Sequence, residues 1–129
     1  MIGVARGTFA SVVAAAVVTA AALAASGPTL TVYFTPGFDD AAWQQAAYDK
    51  VAKAWKPAGS PKPGAKCVLI AVIEKDGKVS GLRDHMASGD AAWDKAAVEA
   101  MKAAMPFAAL PKAWPHPSVE VHWHFENKK

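Results

Sequence analysis

Residues Cys67 to Phe107 read CVLIAVIEKDGKVSGLRDHMASGDAAWDKAAVEAMKAAMPF, and the order of patterns within this stretch decides the fold. Val68 to Ile73 is an unbroken apolar run. Two charged residues and Asp76-Gly77 follow, and a second extended segment begins at Lys78. Asp-Gly between two such runs signals a tight hairpin, because the turn needs positive φ and glycine supplies it without steric cost. After Ser88-Gly89-Asp90 the apolar spacing changes from about 2 to about 3.6, which marks a helix. Trp93, Ala97, Ala100, Met101 and Ala104 fall on one of its faces, with Asp94, Lys95, Glu99 and Lys102 elsewhere. Pro106 ends it, since proline lacks the N–H that the helical ladder requires. A hairpin followed by a helix is the kernel.

Upstream of the kernel, the loop Ala58 to Lys66 (AGSPKPGAK) is preceded by a second helical pattern that begins at Ala41. Asp39 or Asp40 caps it, because a carboxylate accepts the free N–H groups of the first turn. Trp43, Ala46, Ala47, Val51, Ala54 and Trp55 form its apolar stripe, and Pro57 closes it. Before it, Thr29 to Phe34 alternates weakly, as a short strand or an ordered lead-in, and Pro36-Gly37 breaks the pattern. Downstream, Pro111, Pro115 and Pro117 favour an extended crossing segment. From Ser118 to Phe125, Val119, Val121, Trp123 and Phe125 point one way, and Glu120, His122 and His124 the other. Such alternation reads as an antiparallel strand with one buried and one wet face. The expectation is an α+β fold in the order α-β-β-α-β, with two helices packed on a small three-stranded antiparallel sheet.

The first 25 residues read as separate from that fold. Arg6 precedes an uncharged, alanine-rich run from Phe9 to Leu23, and Ala22-Leu23-Ala24 has the small-x-small form of a cleavage site. A cleaved export signal is favoured, with a retained inner-membrane anchor as the alternative, since the run is marginal for a span of about 20 apolar residues. The expected organisation is a signal or anchor over 1–25, a linker over 26–39 and a domain over 40–129. A single cysteine excludes an internal disulfide framework. The net charge of +3 is scattered rather than gathered into a basic patch, which argues against nucleic acid.

Little here points to chemistry. His122-x-His124 is the best metal candidate, because residues two apart on a strand share a face with Glu120 or Glu126 nearby. An edge strand offers no closed cage, however, and solvated polar positions are the favoured reading. Asp84, His85 and Ser88 lie too close along one segment to converge as a triad, and no nucleophile elbow, phosphate loop or dinucleotide fingerprint occurs. No enzyme and no cofactor is expected.

Taken together, the pieces resemble the C-terminal domain of the TonB/TolA energy-transducer superfamily. The resemblance rests on Trp55-Lys56-Pro57 at the end of the first helix, Asp76 to Val79 in the hairpin turn, Ser88-Gly89 before the second helix and Trp93-Asp94 with Ala96-Ala97 inside it. Pro106-Phe107 and Leu110-Pro111 then precede the last alternating strand. The resemblance implies a non-catalytic periplasmic domain whose last strand is an exposed edge. A short plug-side segment of a TonB-dependent outer-membrane transporter would pair with that edge by strand addition. Carried onto this sequence, the partner-binding strand is Val119, Glu120, Val121, His122, Trp123, His124 and Phe125. Alternatives are a TolA-like or self-associating envelope domain, a homodimer through the same edge, and a periplasmic metal-binding protein.

Four features depart from the family pattern. The apolar leader has no His, and the linker of about 15 residues reaches only roughly 50 Å at 3.3–3.6 Å per extended residue, too short to bridge an envelope. Asp84 stands where the family carries an apolar strand residue, which predicts a frayed, bulged or exposed second strand there. Ala87 stands where the family has Ser.

Overall fold

The computed structural model describes residues 17–18 and 26–129. The leader expected over 1–25 therefore lies outside the described residues except for Val17–Val18. In chain order the elements are β1 (Val17–Val18), β2 (Gly27–Phe34), α1 (Ala41–Ala54), β3 (Lys66–Glu74), β4 (Val79–Met86), α2 (Ala91–Ala104) and β5 (Ser118–Lys128). The strands form one sheet in the order β1-β2-β5-β3-β4, antiparallel throughout.

The α+β class holds, with two helices on an antiparallel sheet, but the sheet is larger than three strands. The stretch expected to be a linker, 26–39, supplies β2, and β1 adds a two-residue bridge on its far side. The physical reason lies in the weak alternation. Leu30, Val32 and Phe34 all point toward the helices and are buried. Burying a side chain of this kind contributes about 1.5–3 kcal/mol.

Each helix starts with the same device. The Asp40 carboxylate accepts from the Trp43 N–H at 2.8 Å, and the Asp90 carboxylate accepts from the Trp93 N–H at 3.0 Å. Both tryptophans then turn inward, and each indole N–H donates to a backbone carbonyl, Ala108 for Trp43 and Phe125 for Trp93, at 2.9 Å. Those bonds allow a polar group to be buried without loss. The stripe expected on α1 needs correction. Ala46 is exposed, whereas Gln44 and Tyr48 are buried. Their polar tips have partners: Gln44 Nε2 donates to Phe38 O at 2.8 Å and the Tyr48 hydroxyl to Leu30 O at 3.1 Å.

The helices cover one face of the sheet. There Val119, Val121, Trp123 and Phe125 of β5 pack with Leu69, Ala71 and Ile73 of β3 and with Ala97, Ala100 and Met101 of α2. Trp123 sits at the centre, its ring stacked on Phe107 with centroids 5.8 Å apart. The hairpin turn docks on the segment that follows α2. Gly77 O accepts from Phe107 N at 3.0 Å and Lys75 O from Leu110 N at 2.9 Å. Gly77 has φ of 92°, and a Cβ there would lie 2.0 Å from Phe107 O. Glycine is required both for the turn and for this close approach.

Candidate functional site

β5 does not form an edge of the sheet, contrary to what the resemblance implied. On one side it pairs with β3 from Lys66↔Glu126 to Glu74↔Ser118. On the other it pairs with β2 in eight consecutive pairs, from Gly27↔Lys128 to Phe34↔Val121. The reason is again β2: its three inward side chains lie opposite Phe125, Trp123 and Val121 and complete the core on that flank. The structure therefore places the seven expected partner-binding residues in two environments. Val119, Val121, Trp123 and Phe125 are core residues, 0–2% exposed. Glu120, His122 and His124 lie on the face away from the helices.

Thr35 extends the β2–β5 ladder by one step. Its hydroxyl donates to Glu120 O at 2.8 Å and accepts from Glu120 N at 3.2 Å, so a side chain satisfies the backbone groups that another strand residue would pair with. Beyond it, Phe38 N donates to Thr35 O and Gly37 has φ of 92°, a tight turn that leads into α1. Residues 27–35 were the part of this site that the sequence reading missed as a site. The alternation from Thr29 to Phe34 was the signal, and what it lacked was any indication of the partner strand.

The face away from the helices carries the titratable groups. His122 Nε2 lies 3.2 Å from Glu120 Oε1, and Arg83 Nη2 of β4 lies 3.9 Å from the other oxygen of that carboxylate. The His85 and His122 rings are 6.3 Å apart, and His124 meets the edge of Tyr33 at 4.7 Å. In the register His124 faces Thr31 on one side and Val68 on the other. Burial among these neighbours pushes the His124 pKa down to about 4, and Lys66, His122 and His85 add repulsion toward a proton. Burial also raises the Tyr33 phenol above its ordinary range, with Glu126 adding to it. Tyr33, Thr35, Pro36, Glu120, His122 and His124 line a shallow recess of about 470 Å³. Among the described residues no group of three or more His, Cys, Asp or Glu side chains is arranged to hold a metal ion.

The far side of the sheet differs. Among the described residues β4 pairs only with β3, and its register shifts twice. The pairs Val72↔Gly81 and Ile73↔Val79 skip Ser80, and Val68↔Met86 and Leu69↔Asp84 skip His85. Asp84 is exposed, beside the second of these bulges, as its charge at a strand position suggested. Bulges and exposed charges are devices that blunt an edge against further pairing. Cys67 is buried on β3, and its thiol is pushed up to about 12 by burial and by Asp94 and Asp84, which keeps it a thiol rather than a reactive thiolate.

Among the described residues no helix is long and apolar enough to cross a membrane. No curated protein and no solved structure matches the chain. A family model described as TonB C terminal matches residues 40–125, which runs from the N-cap of α1 to Phe125 in β5 and leaves β2 outside. The order of helix, hairpin, helix and last strand agrees with that match, and the chain belongs to the TonB C-terminal family.

Proposed function

We propose that this protein is a non-catalytic periplasmic binding module of the energy-transducer type, which pairs an extended segment of an envelope protein with the β2-facing side of β5. A plug-side segment of a TonB-dependent outer-membrane transporter is the partner class that the family suggests. The observation that carries the proposal is the division of β5 between two neighbours of different origin. β3 lies inside the matched residues 40–125, whereas β2 comes from outside them and holds the other side of β5 through a regular antiparallel ladder. Without β2, the matched part would present β5 as an open edge with ladder N–H and C=O groups free for a partner. The irregular outer side of β4 is the poorer place for such pairing.

A proline at Val121 would delete the ladder N–H that faces β3, and one at His122 the N–H that faces β2, so either would report on folding as well as on a partner. Crosslinking in cells is the cleaner experiment. A photoreactive amino acid at Glu126 of the full chain, in a Gram-negative host, is expected to yield an adduct with an outer-membrane protein. Tying β2 to β5 with the pair Thr31→Cys and His124→Cys, which face each other in the register, is expected to abolish that adduct. An adduct of the same yield in the tied protein, or no envelope adduct in the untied one, would contradict the proposal.

A further inference from the structure

We infer that β2 is a resident ligand of β5, and that its own side chains state the chemistry of the segment that replaces it. This rests on the reading above that β5 is the partner-pairing strand. The replacing segment is extended, antiparallel to β5, apolar at three alternate positions with an aromatic residue at the last, and varied in between.

The pattern is read from the sockets that β2 fills. Leu30 lies opposite Phe125, Val32 opposite Trp123 and Phe34 opposite Val121, and these three side chains are at most 3% exposed. The last socket is aromatic: the Phe34 ring lies 5.9 Å from Phe38 and 6.3 Å from Trp43. Between them, Thr31 and Tyr33 lie on the opposite face beside His124 and His122 and are only half-buried, so that side tolerates variety. The backbone is held at a point independent of side-chain identity, since the Tyr48 hydroxyl donates to the carbonyl of Leu30. Any extended segment in that position presents a carbonyl there.

The attachment of β2 suits it to leave. Among the described residues it leads into α1 through one short turn, Thr35 to Phe38, which contains the positive φ of Gly37, and its outer side carries only the two-residue pairing with β1. The N-cap of α1 is made by Asp40 and Trp43, beyond the turn, so β2 can separate without uncapping the helix. The Thr35–Glu120 pair of hydrogen bonds is the clasp nearest the hinge. A β3 strand in the same situation would carry the hairpin and both of its neighbours with it. When the competent state is a minor one, apparent affinity falls in proportion to its population, so β2 acts as a filter that only a segment matching its pattern overcomes.

The experiment uses the full chain and a labelled synthetic peptide of residues 27–35. Three forms are compared by fluorescence anisotropy: the native chain, Thr35→Ala, and the Thr31→Cys/His124→Cys pair in its oxidised form. Loss of the two hydrogen bonds of the clasp is expected to tighten peptide binding by roughly thirtyfold, about fivefold for each typical hydrogen bond. The oxidised pair is expected not to bind and to recover on reduction, and a peptide carrying Val32→Asp is expected not to bind any form. Equal binding by all three forms would overturn the inference, because the peptide would then sit elsewhere. Hydrogen exchange on the native chain supplies a readout free of substitutions. The amides of β2 are expected to exchange before those of β3 and to be protected by the peptide, and joint exchange of β2 and β3 would also overturn it. Peptide binding with no envelope adduct at Glu126 would remove the partner reading but leave the role of β2 standing. An envelope adduct together with joint exchange would do the reverse.

Discussion

The two flanks of the β2-β5-β3-β4 portion of the sheet are built on opposite terms. β2 runs beside β5 in unbroken register and sends three side chains into the core. β4 runs beside β3 with two register shifts, and all eight of its residues are exposed or half-buried. Yet β4 belongs to the hairpin that defines the family's order of elements, while β2 lies outside the matched residues. The lesson concerns how each flank is held. β4 is kept in place by its covalent turn and by the docking of that turn on Phe107 and Leu110. β2 is kept in place by side-chain burial and a clasp, which are terms that a competing segment can supply.

The sharpest way to break this contrast is to place a charge in each flank. Val32→Asp puts an unpaired carboxylate at a position with 0% exposure, and about 3–5 kcal/mol of stability is expected to be lost in urea denaturation. Arg83→Asp on the exposed β4 is expected to change stability by no more than about 0.5 kcal/mol. Equal losses from the two would mean that the flanks are energetically alike.

A smaller effect is expected at the turn that holds β4. Gly77→Ala forces a side chain into a left-handed backbone conformation and against the Phe107 carbonyl, and should cost roughly 1–3 kcal/mol. Hydrogen exchange should then accelerate in the β3–β4 turn and at Phe107 while the β2–β5 ladder keeps its protection. Acceleration in β2 alone would contradict the assignment of Gly77 to the hairpin.

The mildest test is pH. His124 has a folded pKa near 4, below its ordinary value of 6.5, so between these values the unfolded chain binds more protons than the folded one. Stability from this source is complete above pH 6.5 and declines as pH falls toward 4. Burial sets most of the shift, with Tyr33 of β2 against the ring, and charged neighbours from three strands add to it: Lys66 on β3, His122 on β5 and His85 on β4. Thermal midpoints measured from pH 7 to pH 4.5 should fall, and His124→Gln should flatten the decline. A decline of the same steepness in that variant would assign it to other groups.

Much of this arrangement was legible in the residues. The hairpin followed from Asp76-Gly77 between apolar runs, both helices from their spacing and the first also from its Asp cap, and the last strand from strict alternation. The exposed, bulged character of β4 at Asp84 was visible as a charge out of place. Other features were not legible. Gln44 on α1 looked like a surface residue because its partner, the Phe38 carbonyl, is reached only through the turn that β2 makes. The edge position of β5 was implied by the resemblance alone, since alternation reports which face of a strand is buried and is silent on its hydrogen-bonding neighbours.

The sequence by itself determined the kinds and order of the elements from α1 to β5 and the inward faces of α2 and β5, because these depend on periodicities and caps that act over a few residues. Tertiary structure alone decided which strand lies beside which. The pairing of residues 27–34 with 121–128 joins the two ends of the described fold. It is selected by shared burial of Leu30, Val32 and Phe34 with Trp123 and its neighbours, a non-local contest that no local pattern records.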